Sequence, residues 1–302
     1  MTFHELLLAA ANHMHPLHSP QDLWRRARFV AVGLRHYQLI LSLLSGGAFA
    51  AALAERPQLL GAIQWPFLHK DWDVRHRFEA MRAHHAEVEN LPWLRLRVEE
   101  RRIFSELGDL MPGLRVVLDR PEWFIREGKL AINLFVSDER VYSLAFALGR
   151  IGEQRVARIG AMQGRDLADI EAVYRTLTKK LHGARPRDFL FTVFQIMCQA
   201  AGVQRILGVS EACRHHLHPY FGSKKQTTPS ANYDEIWQDR GGVPASGGFF
   251  ELPVCPGVRS DSEIPSHKRA MYRRRYQLYD RVREDVQTLA GASAPRQPAP
   301  TI

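Results

Sequence analysis

Cysteine is scarce in this sequence: only Cys198, Cys213 and Cys255 occur, and no two of them are spaced as a CxxC pair. Three cysteines cannot form a disulfide framework, so we expect a reducing compartment. The N-terminus also lacks a charged segment followed by an apolar core and a small-residue cleavage site, which argues against a signal peptide. The predicted location is therefore the cytoplasm.

Long apolar runs are also lacking, with one borderline exception. Residues 37–54 carry no charge, a length close to that of a membrane span. Gly46 and Gly47 divide this run into two short pieces, and Glu55 and Arg56 end it. We expect two core helices that meet at a glycine hinge rather than a transmembrane span. Peripheral contact with a membrane stays open.

Basic residues are in excess, with 41 Lys and Arg against 32 Asp and Glu and a formal net charge of +9. An apolar content of 45% is ordinary for a globular protein and excludes wholesale disorder. The excess charge favours an acidic partner, such as nucleic acid, anionic lipid or an acidic carrier protein. Much of it falls in residues 267–283, which hold seven Lys and Arg against one acid, Asp280, a surplus of +6.

The order of patterns along the chain predicts an α+β fold. Residues 1–110 are expected to be mainly helical, and residues 111–258 to form a core. There, β-like runs at 114–118, 129–136, 141–148 and 156–162 with short connections predict an antiparallel meander. Two helices, at about 166–181 and 187–201, and a strand at 205–210 should follow it. A basic helix is expected within 259–290, and residues 291–302 have the composition of a disordered tail.

Several of these segments resemble the VirK/YbjX family of bacterial proteins. The resemblance rests on five segments, which are IGAMQG at 159–164, LTKKLHGARP at 177–186, GVS at 208–210, ANYDEIW at 231–237 and IPSHKRAMYRRRY at 264–276. The family is linked to virulence and to resistance against antimicrobial peptides. It carries no agreed biochemical activity, so the resemblance implies a family without a mechanism.

The predicted meander, followed by a Gln-Gly turn into a helix, also resembles the core of GNAT-like N-acyltransferases. In that fold a turn after a strand offers backbone N–H groups to the pyrophosphate of acyl-CoA at a helix N-terminus. Gln163, Gly164 and Arg165 would form this turn here. The single glycine and the nearby Asp166 depart from the usual pattern, and the alternative is a simple helix cap. An acyl-CoA or an acyl-carrier protein is the implied cofactor.

The C-terminal basic helix is the second predicted contact with the cofactor. Its arginines suit bidentate contacts with phosphate or carboxylate groups. We expect Lys268, Arg269 and Arg273 to bind the phosphates of the donor or an acidic carrier. The alternative is a solvated helix face with aromatic residues packed inward, and nucleic acid is not excluded.

Three residues are candidates for acyl-transfer chemistry. His182 is a candidate base, although its place between two helices equally suits a helix C-cap. Tyr233 could give a proton to the leaving thiolate, and Asp234 could assist as a base or by orienting an amine. The alternative for this segment is a helix start in which Tyr233 packs against Trp237.

The histidines His215 and His218 are weaker candidates, as metal ligands on one face of a helix. The alternative is that these histidines are polar surface residues and that one of the rings is packed. The leading prediction is thus an acyltransferase that moves an acyl group from a CoA or carrier-protein thioester to an amine or hydroxyl of a peptide, lipid or small metabolite. A non-catalytic basic protein that binds nucleic acid or an anionic envelope component, and a metal-dependent enzyme, are the alternatives.

Overall fold

The computed structural model describes residues 1–165, 169–222 and 232–292. Five helices form its N-terminal part, namely α1 (Phe3–Met14), α2 (Pro20–Arg35), α3 (Tyr37–Leu44), α4 (Ala48–Glu55) and α5 (Val74–Glu89). Their starts follow from capping: Thr2 and Glu5 form a capping box on α1, and Ser19 caps α2. Their inward apolar side chains form a core of their own, which includes Phe29 and Phe78.

The charge-free run bends sharply where the sequence predicts a hinge. The chain bends by 106° between α3 and α4 at Gly46 and Gly47, which both have the positive φ that glycine tolerates. Ile40, Leu43 and Phe49 on these helices are buried in the N-terminal core. Among the described residues, no single helix has the length and apolar content of a membrane span. Only α3 and α4 taken together reach that length and composition, and they are the bent pair.

One mixed sheet of eight strands forms the centre of the molecule. Its strands are β1 (Arg102–Glu106), β2 (Leu114–Asp119), β3 (Leu130–Val136), β4 (Glu139–Ile151), β5 (Gln154–Gly164), β6 (Arg205–Val209), β7 (Val243–Ala245) and β8 (Phe249–Leu252). Their spatial order is β1-β2-β3-β4-β5-β6-β8-β7. All neighbours are antiparallel except β5 and β6, which are parallel.

Four further helices follow in the described part of the chain, and they are α6 (Ile170–Lys180), α7 (Pro186–Ala200), α8 (Tyr233–Gln238) and α9 (Arg269–Ala292). Helices α6 and α7 form the crossover that a parallel strand pair requires. Ten of the fifteen residues of α7 are buried where it packs on the sheet, and α9 covers α7 and β1. The largest core lies between these helices and one face of the sheet, whereas the N-terminal helices lie on the other face.

The α+β class is confirmed, and the predicted meander, crossover helices and basic helix all occur. Two details differ. Strands β7 and β8 occupy a region with no predicted strand. Strand β1 lies inside the predicted N-terminal region, and the division into domains stays a prediction. Asp166 and most of the predicted tail lie outside the described residues.

Candidate functional site

The parallel strands β5 and β6 separate in the middle of the sheet. Their last paired residues are Ile159 and Gly208, after which β5 continues to Gly164 while β6 ends at Val209. Gly160 is an extra residue in β5, a bulge against β4. We call the space between the two strands beyond Ile159 and Gly208 the strand gap. In the described chain no strand lies beside β5 in this gap, so the backbone N–H and C=O groups that face the gap have no strand with which to form hydrogen bonds.

Side chains of α8 fill the strand gap. The Met162 N–H donates to the Tyr233 hydroxyl over 2.9 Å, and the Trp237 indole N–H donates to the Val209 carbonyl over 2.8 Å. Both aromatic side chains are buried. Gly208 makes room for the indole, since a Cβ there would lie 2.6 Å from the Trp237 ring. Helix α8 thus takes the place of a strand partner.

Reciprocal hydrogen bonds hold α8 to the turn after β6. The Glu211 carboxylate accepts from the Tyr233 N–H at 3.0 Å, and the Asp234 carboxylate accepts from the Glu211 N–H at 2.7 Å. Asn232 caps the helix by accepting from the Asp234 N–H. The Asp234 carboxylate therefore helps to position α8, and its role as a base or in orienting an amine stays a prediction.

A glutamate and a histidine from distant parts of the chain form a close pair. The Glu127 Oε1 atom is 3.3 Å from His215 Nε2, and both side chains are mostly buried. Burial raises the pKa of Glu127 to about 7, against an ordinary value of 4.5. Among the described residues, Glu127 Oε2 has no hydrogen-bond partner. We call Glu127 and His215 the acid–imidazole pair.

Three contacts hold the backbone at and next to this pair. The Glu127 carbonyl lies against the bulge, where a Cβ on residue 160 would be only 1.9 Å away. Leu68 adopts a left-handed backbone conformation with φ of 59° and donates its N–H to the Arg126 carbonyl. The Arg214 guanidinium stacks over the Tyr233 ring at 3.8 Å. The bulge in β5 thus places the pair next to the strand gap.

The predicted metal ligands His215 and His218 have other polar neighbours. His215 contacts Glu127, and His218 Nε2 is 3.2 Å from the Arg77 guanidinium. Burial and Arg77 both lower the pKa of His218. A positive charge so close disfavours a metal cation at His218.

A second cluster with metal-like composition contains His69, Asp71 and Cys213, whose ligand atoms lie within 4.8 Å of one another. His69 Nδ1 accepts the Asp71 N–H, which places the proton of a neutral ring on Nε2. In this tautomer Nε2 has no lone pair for a metal. Sequence reasoning did not anticipate this cluster, because His69 comes from the N-terminal region.

Two cavities flank the end of β5. The first, about 420 Å³, is lined by the predicted turn residues Gln163, Gly164 and Arg165. The second, about 600 Å³, is lined by Tyr142, Tyr174 and four basic residues, and no acidic residue of the described chain lines it. We call it the basic cavity, and its basic residues are Arg175, Lys179, Arg185 and Arg187. Tyr142 lines both cavities, so they adjoin.

The predicted base His182 lies at the end of α6, where it has a left-handed backbone with φ of 53°. Its carbonyl accepts two hydrogen bonds from Arg275 of α9. Burial and the neighbouring Arg274 and Arg275 lower the pKa of its imidazole. Within the described residues the structure gives no contact between His182 and Tyr233. Its geometry matches the helix-end alternative.

The arginines of α9 are partly used inside the molecule. Arg269 donates to the carbonyls of Asp261 and Ile264, and Arg281 pairs with Asp109. The predicted phosphate contacts Lys268 and Arg273 are exposed. Because Asp109 offsets the charge of Arg281, the net charge at this surface is smaller than the +6 counted for residues 267–283 alone.

The fold and the site define an α+β protein. Its strand β5 carries a bulge and separates from the parallel strand β6, and the acid–imidazole pair lies at the bulge. Residues 18–288 match the family described as "Protein of unknown function (DUF535)", and the chain belongs to this family. The predicted VirK/YbjX membership is thereby confirmed, because the E. coli protein YbjX is among the relatives.

Relatives from two bacteria share most of their length with this chain. An uncharacterized Haemophilus influenzae protein is 28% identical over 222 residues, which cover 71% of this chain and 72% of the relative. The uncharacterized protein YbjX of Escherichia coli is 26% identical over 254 residues, 78% of this chain and 73% of YbjX. No solved structure matches this chain.

Proposed function

We propose that the chain transfers an acyl group from a phosphopantetheine thioester, carried by CoA or a carrier protein, to an amine or hydroxyl. The observation that carries this proposal is the Met162 N–H, which lies beyond the last residue pair of β5 and β6 and donates to the buried Tyr233 hydroxyl. The strand order, the single parallel pair and the bulge are the features of the fold on which we base this proposal.

Each group has a chemical task in this proposal. The thioester carbonyl replaces the Tyr233 hydroxyl as acceptor of the Met162 N–H, which then stabilises the tetrahedral oxyanion. The acceptor nitrogen or oxygen attacks the carbonyl carbon and gives its proton to ionised Glu127, which His215 orients. The carbon–sulfur bond breaks, the thiolate takes a proton from Tyr233, and the phenolate then regains a proton from solvent while Glu127 releases its own. Burial raises the pKa of Tyr233, so the phenol carries its proton when the donor binds.

The basic cavity is the proposed place for the donor's phosphates. Four basic residues line it, of which Arg187 lies 4.0 Å from Asp188, and it adjoins the turn at Gln163, Gly164 and Arg165. The sequence predicts phosphate contacts at this turn and at Lys268, Arg269 and Arg273. The turn stays in the proposal, and we place the second contact in the basic cavity, because its four basic residues line one concave space.

Binding and turnover together test the proposal. Acetyl-CoA, a long-chain acyl-CoA and an acyl-carrier protein are added to the full chain, and thermal stabilisation and thiol release with primary amines are measured. We expect one of these donors to stabilise the protein, and Lys179→Ala/Arg187→Ala to weaken its binding about ten-fold or more. Arg75→Ala/Arg82→Ala, which removes two exposed arginines of α5, is the matched control.

A Lys268→Ala/Arg273→Ala variant separates the two assignments of the phosphates. Weaker donor binding in this variant but not in the cavity variant would move the phosphates to α9. Failure of every thioester to stabilise the wild-type protein would refute the acyl-transfer proposal.

A further inference from the structure

The N-terminal helices present an unusual concentration of exposed apolar side chains. Seven of the fourteen large apolar side chains that are exposed in the described chain lie within its first 37 residues. Helix α2 contributes the most prominent of them, with Trp24 at 64%, Leu23 at 60% and Leu34 at 54% exposure. These exposures are high for residues that a monomer usually covers.

The exposed residues of α2 form one continuous face. Its apolar members are spaced at helical intervals, and they are Leu23, Trp24, Ala27, Ala31 and Leu34. The opposite face is anchored, since Phe29 is buried and Gly33 approaches Leu7 of α1 so closely that a Cβ would clash. Helix α2 is therefore held rigidly with its apolar face outward. We call this face the α2 face.

Arginines border the α2 face. Helix α2 carries Arg25, Arg26, Arg28 and Arg35 against one acid, Asp22, a net charge of +3. Arg28 stacks over the Trp24 ring at 5.6 Å, so cation and aromatic group lie together at the surface. An apolar stripe with aromatic residues beside arginines is typical of a helix that lies in the interface of an anionic membrane.

We propose that the α2 face docks the protein on an anionic lipid surface. Leu23, Trp24 and Leu34 would enter the boundary between headgroups and acyl chains, while Arg28 and Arg35 would reach the lipid phosphates. A second copy of the chain is a poorer occupant, because a two-fold axis would bring two helices of net charge +3 together. This inference does not depend on acyl transfer.

Vesicle flotation of the full chain tests the proposal. One set of vesicles contains phosphatidylcholine alone, and in the other phosphatidylglycerol replaces part of it. We expect binding to the anionic set only, weakening as salt rises. Leu23→Gln/Leu34→Gln should lower the partition coefficient about ten-fold or more. Val243→Gln/Val258→Gln, which removes two other exposed apolar side chains, should not.

A second pair of variants tests the charge. Arg28→Gln/Arg35→Gln should weaken binding to the anionic vesicles, and Arg75→Gln/Arg82→Gln should leave it intact. The proposal is overturned if the wild-type chain does not float with anionic vesicles at low salt, or if the control variants lose as much binding. It is also overturned if Leu23→Gln/Leu34→Gln converts a dimer to a monomer without changing flotation.

Discussion

Glu127 makes the stability of this protein depend on pH in a direction opposite to that of most carboxylates. Burial raises its pKa from 4.5 in the ordinary case to about 7 in the fold. Between these values the unfolded chain releases a proton that the folded chain keeps, so the unfolded state is favoured as pH rises. The full penalty is present above pH 7 and vanishes below about pH 4.5.

The substitution Glu127→Gln removes this penalty while keeping the shape of the side chain. From the two pKa values, the difference in unfolding free energy between variant and wild type should rise by about 2 to 3 kcal/mol from about pH 5 to about pH 8. The sign is fixed: the variant gains relative to the wild type as pH increases. Comparing the two proteins at each pH cancels the titration of the shared groups.

Urea unfolding at the two pH values measures this difference directly. Glu79→Gln removes an exposed carboxylate from α5 and is the matched control. A variant-minus-wild-type difference that stays constant between the two pH values would refute the raised pKa, and with it the assignment of Glu127 as a base active near neutrality. If thiol release is found, its rate should rise with pH through about 7 in the wild type only.

Two further substitutions test the geometry of the site. Tyr233→Phe leaves the Met162 N–H buried without its acceptor, so we expect a loss of about 1 to 3 kcal/mol in urea unfolding, together with slower thiol release; unchanged values in both assays would contradict the tyrosine's role. Gly160→Ala would place a Cβ 1.9 Å from the Glu127 carbonyl, so it should be more destabilising in the same assay than Gly108→Ala, where nothing lies within 4 Å; equal losses would show that the close approach is not required.

Local patterns were sufficient to predict the elements that are long and regularly patterned. The alternating run at 129–136 and the apolar helix with Pro186 at its start both appear in the structure. Strands β7 and β8 have only three and four residues among glycines and prolines, so periodicity has too few residues to act on. Their strand character comes from pairing with β6, a long-range contact.

The site shows the same division between local and long-range information. Tyr233 and Asp234 stand out as a polar and aromatic cluster in the sequence, and the structure places both at the strand gap. Glu127 does not stand out, because nothing in its neighbourhood indicates that it will be buried beside His215. That proximity results from the bulge at Gly160 and from the crossover that brings β6 beside β5. The basic cavity had a visible signal, the cluster of Lys and Arg at 175–187.

The hydrogen bond between Met162 and Tyr233 has a consequence for any molecule that binds in the strand gap. The phenol behaves as a built-in competitor, because it already satisfies the N–H that an incoming carbonyl would need. Each factor of ten by which the closed arrangement is preferred lowers the apparent affinity of the incoming molecule by the same factor, about 1.4 kcal/mol. Molecules that bind weakly would not displace the phenol. Displacement would require additional contacts outside the strand gap.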